Sequence, residues 1–461
     1  MLKKISTGSR LTNLAALLAV LVAAAPTTRA ESLEWGATGY FRYDIENVVV
    51  TPTAGITGAY DVKVIFSVAN PVIGNTWNIK VAQPFQSQGA NLTLDVAWDP
   101  GTDFTNTGSE NPTLASLTPT ALGKGAAIPV QVRGLQNVAV ECSGVSDCPG
   151  IASFENRYRV TKTVQPVKLV SSVTRGRVAI EGRPVCNGVD AAYICPPSTG
   201  TFVNIPVRSA AANFTFTPAS ATTAVIPDPR RAVVDIQKCK RCHDGNQHGD
   251  TVVPRLSLHG GNRNENLAVC VVCHNPNQTD VVYRYLTAGT TADPRISGPE
   301  TPIDFKTMIH SIHSGGFREK PYVVVGFNSS VNDFSRVRFP SELRNCLNCH
   351  VDVNGKGTFE LPLAKDVLGT TVNTKSTYLV ALGAMRSISV NPADDIKISP
   401  IAATCSACHD KAEVRSHMVK TGGASFATTQ SAIGTTVVER CATCHGPGKA
   451  RDVRKMHQIS R

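Results

Sequence analysis

Ten of the fourteen cysteines in this chain fall into five copies of one pattern, two cysteines separated by two residues and followed at once by histidine. The copies are Cys239-Lys-Arg-Cys242-His243, Cys270-Val-Val-Cys273-His274, Cys346-Leu-Asn-Cys349-His350, Cys405-Ser-Ala-Cys408-His409 and Cys441-Ala-Thr-Cys444-His445. The two intervening residues vary freely, while the trailing histidine does not. Tetrahedral zinc uses paired cysteines but has no need of that histidine five times over. A thioredoxin-like dithiol occurs once, inside a βαβ pattern. Covalent attachment of c-type haem requires all three residues. Cysteines at i and i+3 lie on one side of a helical turn. From there they reach the two vinyl groups on one porphyrin edge, and the next residue swings its imidazole beneath the iron. The pattern predicts five covalently bound haem c groups.

Each such iron has a second axial position to fill. Six histidines stand outside the motifs: His248, His259, His310, His313, His417 and His457. All six lie in the motif-bearing half. Five haems need five of them, so the supply leaves one over. His248 and His259 compete for one role. Met308, Met385, Met418 and Met456 are ligands in principle and would raise the potential. With enough histidine available they are read as packing. Iron held between two histidines has no open coordination position, which points to electron transfer and not to catalysis.

The segment TPIDFKTMIHSIHSGGF, residues 301 to 317, predicts the helix that carries His310 and His313. Thr301 is read as its cap, Pro302 as its first position and Gly315-Gly316 as its stop. Phe305, Met308, Ile309 and Ile312 recur at helical period. Two histidines three apart on one helix cannot grip one iron from opposite sides, so they are expected to reach two different haems. His417 and His457 each serve a local or a neighbouring haem.

The bulk properties agree with an exported carrier. Residues 1–30 read as a signal peptide, with Lys3, Lys4 and Arg10 before the apolar run Leu11 to Ala25 and a cleavage site at Thr28-Arg29-Ala30. No cysteine follows that run, so no lipid anchor is expected, and no later stretch is long and apolar enough to cross a membrane. Loss of the signal leaves 42 basic against 35 acidic residues, a net charge of +7. With export and no basic run, nucleic acid is excluded as a partner. Ten haem propionates would bring the total to about −3. Cys142, Cys148, Cys186 and Cys195 precede the first motif, and pairings Cys142–Cys148 and Cys186–Cys195 are expected in an oxidising compartment. Both read as loop staples, with Cys186–Cys195 the candidate for a redox-responsive bond.

Residues 31–228 show period-two runs in place of long helical patterns. In DVKVIFSV, Val62, Val64, Phe66 and Val68 alternate, imperfectly, with Asp61, Lys63, Ile65 and Ser67. In LTLDVAW, Leu92, Leu94, Val96 and Trp98 share a face. Broken by turn-rich stretches, these runs predict an antiparallel β-sandwich or barrel, Ig-like or closed. The formal acceptor Asn91-Leu92-Thr93 is read as noise. The boundary is placed in IPDPRR, residues 226 to 231, followed by a pentahaem domain over 229–461 with short helices and much irregular structure.

The second half resembles the OmcA/MtrC family of outer-membrane multihaem cytochromes. The resemblance rests on LSLHGGNRNENLAVCVVCHNPNQTD, DFKTMIHSIHSGG, SRVRFPSELRNCLNCH and CHGPGKARDVRKMHQ. It implies a β domain ahead of a pentahaem domain, and electron transfer to extracellular acceptors. It also implies His259, His310, His313, His417 and His457 as distal ligands, with His248 the spare. Members of that family typically carry two such halves; this chain has one. The expected partners are other cytochromes and extracellular metal oxide or flavin acceptors, with surface docking or self-association, in the periplasm or at the cell surface. The competing readings are a multihaem oxyanion reductase with one open iron, and a subunit that polymerises into a haem wire.

Overall fold

The computed structural model describes residues 41–459, except 100–128, 165–173, 188–201, 376–393 and several shorter stretches. The export segment, Met385 and the partner cysteine Cys195 lie outside the described residues, as does the side chain of Cys186.

The first half is two antiparallel sheets. Its strands are β1 (Arg42–Pro52), β2 (Tyr60–Asn70), β3 (Asn75–Thr76), β4 (Asn91–Asp99), β5 (Val130–Arg133), β6 (Val140–Glu141), β7 (Arg157–Val164), β8 (Thr174–Arg183), β9 (Val185–Asn187), β10 (Phe202–Asn204), β11 (Ala210–Thr217) and β12 (Thr222–Ile226). One sheet runs β1-β2-β7-β6 with β3 beside β2, and the other runs β12-β11-β8-β4-β5. The strands β9 and β10 form a separate pair. The two sheets face each other as a sandwich and bury one shared core. Val62, Val64, Phe66 and Val68 of β2 meet Leu92, Leu94, Val96 and Trp98 of β4, with Val178, Ile180, Phe214 and Phe216 alongside. These are the residues the alternation selects, because successive side chains of a strand point to opposite faces. Gly176 is required by this packing, since a Cβ there would meet the Phe214 ring at 2.2 Å.

Both departures from strict alternation have a structural cause. Ile65 points away from the shared core, yet it is buried beneath the Cys142–Cys148 disulfide loop. The outer face of β4 and β8 is polar but does not meet solvent. Thr93, Asp95, Ala97, Arg177, Ala179 and Glu181 are all buried on it. The second half covers that face: Val271 and Val272 pack on Ala97, and Arg177 donates to the Ala268 carbonyl at 2.7 Å.

The second half has seven short helices that matter here. They are α1 (Ile236–Lys240), α2 (Leu267–Cys273), α3 (Phe305–His313), α4 (Pro400–Cys405), α5 (Ala412–Lys420), α6 (Ala442–His445) and α7 (Val453–Met456). Strands of two to four residues and irregular chain join them. Among the described residues its largest apolar cluster holds only Ile398, Ala402, Ala403, Met418 and Ala424 at its centre. The helix α3 starts later than its sequence predicts. Thr301 does not cap it: its hydroxyl donates to the Val323 carbonyl at 2.7 Å, and its N–H donates to Asp280 at 2.8 Å. The buried Asp280–Arg284 ion pair thus holds residues 301–303 extended, and Asp304 becomes the position before the first turn.

Candidate functional site

All five motifs adopt one turn. The histidine N–H returns to the carbonyl of the first cysteine at 2.8–2.9 Å in every copy: His243 to Cys239, His274 to Cys270, His350 to Cys346, His409 to Cys405 and His445 to Cys441. That bond closes a helical turn and puts both cysteines and the histidine on one side of it. Local sequence starts several of these turns. Asp235 caps α1 through the Gln237 N–H, Asn266 caps α2 through the Ala268 N–H, and Asn345 caps the Cys346 turn through the Leu347 N–H. The helix α4 is capped from afar, by the Glu439 carboxylate on the Ile401 and Ala402 N–H groups, each at 2.8 Å.

Each motif histidine faces one histidine from elsewhere in the chain. The ring centres are 5.9 Å apart for His243 and His313, 6.0 Å for His274 and His259, and 5.9 Å for His350 and His310. They are 5.9 Å apart for His409 and His457, and 6.3 Å for His445 and His417. An imidazole nitrogen lies about 2.0 Å from a bound metal and about 1.1 Å from its ring centre, so two rings gripping one metal stand ~6.2 Å apart. The observed separations fit a metal held between two imidazoles at all five motifs. Among the described residues, no three His, Cys, Asp or Glu side chains converge as a zinc cluster requires.

His259 stands in this facing relation with His274. The side chain of His248 lies outside the described residues. Met418 sits in an apolar cluster and Met456 is exposed. The histidines three apart on α3 face two different motifs, the third and the first.

Several of these imidazoles have one nitrogen committed. Nδ1 lies 2.9 Å from the Ile303 carbonyl in His274, 2.9 Å from Ile309 in His313, 3.0 Å from Arg451 in His445 and 2.9 Å from Val453 in His457. A carbonyl only accepts, so Nδ1 carries the proton and Nε2 is left with its lone pair. His350 reaches the same state through a relay. The Thr358 hydroxyl donates to the Val233 carbonyl at 2.6 Å, so its oxygen accepts from His350 Nδ1 at 3.0 Å. Burial favours the neutral, ligating form. It pushes His259 and His350 down to about 3 and His310 to about 4, and lowers His274, His313 and His409.

The motifs form a row. Cys239 lies within electrostatic reach of Cys349 and Cys270, and Cys349 within reach of Cys242. Cys346 lies near Cys408, and Cys405 near Cys441 and Cys346. The order is second, first, third, fourth, fifth. Lys238 ties the first two of its middle members by donating to the Leu347 carbonyl at 3.0 Å and the His350 carbonyl at 2.5 Å. Sequence reasoning missed Thr358 and Glu439. Neither stands near a motif histidine that it serves in a readable pattern, and only the folded contacts assign them.

No curated protein matches the chain. Two solved structures align along most of it. One is the outer membrane decaheme cytochrome OmcA, at 19% identity and TM-score 0.40, covering 92% of this chain and 49% of that one. The other is MtrC from Shewanella baltica OS185, at 15% identity and TM-score 0.45, covering 91% of this chain and 53% of that one. The chain therefore spans about half the length of these two proteins. Residues 231–458 match the family described as outer membrane cytochrome MtrC/MtrF-like, domains II/IV. Through that region, with its five CxxC pairs consistent with c-type haem, the chain belongs to the MtrC/OmcA family of outer membrane multihaem cytochromes.

Proposed function

We propose that this protein is an exported pentahaem cytochrome that passes single electrons along five closely spaced haems toward acceptors outside the cell. Cys239, Cys242, Cys270, Cys273, Cys346, Cys349, Cys405, Cys408, Cys441 and Cys444 form the thioethers. His243, His274, His350, His409 and His445 are the proximal ligands; His313, His259, His310, His457 and His417 are the respective distal ones. The observation that carries this reading is the pairing of every motif histidine with one facing histidine at 5.9–6.3 Å. Iron so held supplies reversible one-electron chemistry and leaves no position for a substrate, which favours a carrier over an oxyanion reductase. The partners are other redox proteins at one end of the row and extracellular metal oxide or flavin acceptors at the other. Among the described residues no helix is long and apolar enough to cross a membrane. The test is the mass of the purified holoprotein together with the iron spin state. Five haems per chain, all low-spin, support the proposal. A mass equal to the polypeptide alone, or a stable high-spin iron that binds nitrite or sulfite, overturns it.

A further inference from the structure

The covered face of β4 and β8 carries two carboxyl groups that electron transfer as such does not use. Asp95 is 1% exposed and Glu181 3%. Thr93 pairs with Glu181 and Asp95 with Ala179, so the two acids lie on one face, a diagonal step apart. One buried guanidinium, Arg263, bears on both. Arg263 Nη2 donates to Glu181 Oε1 at 2.7 Å, and its Nε lies 2.5 Å from Oε2. Asp95 Oδ1 accepts from Gln131 Nε2 at 2.8 Å, but Asp95 Oδ2 is buried with no donor. Two buried carboxylates against one buried cation, with only the exposed, solvent-screened Arg133 beside them, leave negative charge poorly balanced in a dry seam, where a carboxylate protonates before it stays bare. One proton held between the acids supplies the missing donor, and the two side chains are within hydrogen-bonding reach of each other. Burial, then the neighbouring carboxylate, raises Glu181 to about 8, and burial raises Asp95. The pair titrates as a unit.

Its surroundings point it at the second motif. Cys273 and Cys270 lie within electrostatic reach of Glu181, and Cys273 of Asp95 as well. Arg263 lies within electrostatic reach both of the pair and of the facing histidines His259 and His274. The remaining groups that face the pair stay fixed near neutral pH. The exposed Arg133 on β5 is a second cation within electrostatic reach of Asp95, screened by solvent. The Tyr43 hydroxyl on β1 donates to the Gly182 carbonyl at 3.2 Å and is held protonated by its burial.

We propose that Asp95 and Glu181 form a proton-binding site whose occupancy is coupled to the redox state of the second motif. The proposal rests on that motif holding a haem. One electron arrives from a one-electron donor, the neighbouring first site, and one proton arrives from solvent. A haem held at that motif would take up the electron, and one carboxylate would gain an O–H bond that its partner accepts. On oxidation the electron leaves along the row and the proton returns to water. The sign follows from charge. Reduction adds negative charge beside the pair and raises its proton affinity. Within the window between its two affinities, the midpoint potential of that haem falls as pH rises.

The experiment is spectroelectrochemical titration of the holoprotein between about pH 6 and about pH 9, a range that brackets the pair's titration. One of five transitions is expected to shift by up to tenfold in its redox equilibrium per pH unit, about 59 mV for a one-electron couple. E181Q and D95N are each expected to flatten that transition and leave the other four unchanged. Redox-difference infrared spectra of the unmodified protein are expected to lose a carboxylic-acid C=O band on oxidation, a readout that needs no variant. The proposal is overturned if the slope survives both substitutions, or if no acid band follows the redox state. A Cys270–His274 peptide that carries no haem by mass overturns the haem reading of that motif, and the coupling with it. A haem-loaded peptide with an unaltered slope overturns the coupling alone.

Discussion

The imidazoles of His310 and His350 face each other 5.9 Å apart and within 10° of parallel. Three residues along the same helix, the ring of His313 crosses that of His243 at 85°. Two parallel imidazoles donate into the same iron dπ orbital and split it from its partner; crossed ones leave the two nearly degenerate. The oxidised protein is therefore expected to give at least two kinds of low-spin electron paramagnetic resonance signal, one rhombic and one strongly anisotropic. His310→Ala should remove intensity from the rhombic signal, which the His259–His274 pair at 31° shares, and create one high-spin iron. His313→Ala should instead remove intensity from the anisotropic set. The opposite assignment, or loss of the same signal in both variants, would show that the two histidines do not serve separate sites.

Thr358 acts on the third site without touching it as a ligand would. Its hydroxyl hydrogen is spent on Val233, so its oxygen draws the Nδ1 proton of His350 and makes that imidazole a stronger donor. Thr358→Val keeps the shape and removes the acceptor. The ferric state should lose more than the ferrous one, and the potential of one haem should rise. A tenfold change in relative affinity corresponds to about 59 mV. Potentiometry with haem content held at five per chain measures it. An unchanged set of five potentials would mean that the contact only fills space.

How much of this was legible in the sequence follows from how local each feature is. The five attachment turns are local, because residues i to i+4 make the whole unit. The inward faces of β2 and β4 were legible for the same reason, since period two survives in any sheet with one buried face. The pairing of distant histidines was only half legible. Spacing on α3 showed that His310 and His313 must part company, but the identity of their motifs depends on the fold. The outer face of β4 and β8 was misleading. Asp95 and Glu181 stand where alternation puts solvent-facing residues, and nothing local says that another domain covers them. The start of α3 slipped because Asp280, twenty-one residues before Thr301, claims its N–H.

Arg177 tests how firmly the two halves are joined. It is fully buried and donates to Asn213 Oδ1 at 2.7 Å, to the Ala268 carbonyl at 2.7 Å and to Asp228 at 2.6 Å. Asp228 is part exposed, so the larger loss on truncation lies with the buried acceptors. Arg177→Ala is expected to cost about 1–3 kcal/mol, the penalty for leaving a buried neutral acceptor without its donor. Denaturant unfolding of the holoprotein measures the loss. Hydrogen exchange should quicken first in α2, whose first turn Arg177 holds. A loss under about 1 kcal/mol would place the seam's strength elsewhere, in Arg263 or the Ala97 contacts.

Glu439 links the last two motifs. It stands two residues before Cys441, yet its carboxylate caps α4, which carries Cys405, and also accepts from Ser399 Oγ at 2.8 Å. The first N–H groups of a helix have no partner of their own, and hydrogen bonds to a charged acceptor are each stronger than neutral ones. Glu439→Ala leaves the Ile401 and Ala402 N–H groups without their acceptor in a partly buried place, while Ser399 Oγ keeps the Ser425 carbonyl. It is expected to destabilise the holoprotein by about 1–3 kcal/mol, seen as a lower denaturant midpoint with an unchanged slope. Glu439→Gln keeps one acceptor oxygen and should lose less. The fourth and fifth sites should also lose their fixed spacing, because the carboxylate is what ties the turn at Cys405 to the chain entering Cys441. Magnetic coupling between those two irons in the oxidised protein should weaken in the alanine variant, while coupling between the first and third should not. If both couplings persisted unchanged alongside the loss of stability, Glu439 would be a helix cap and nothing more.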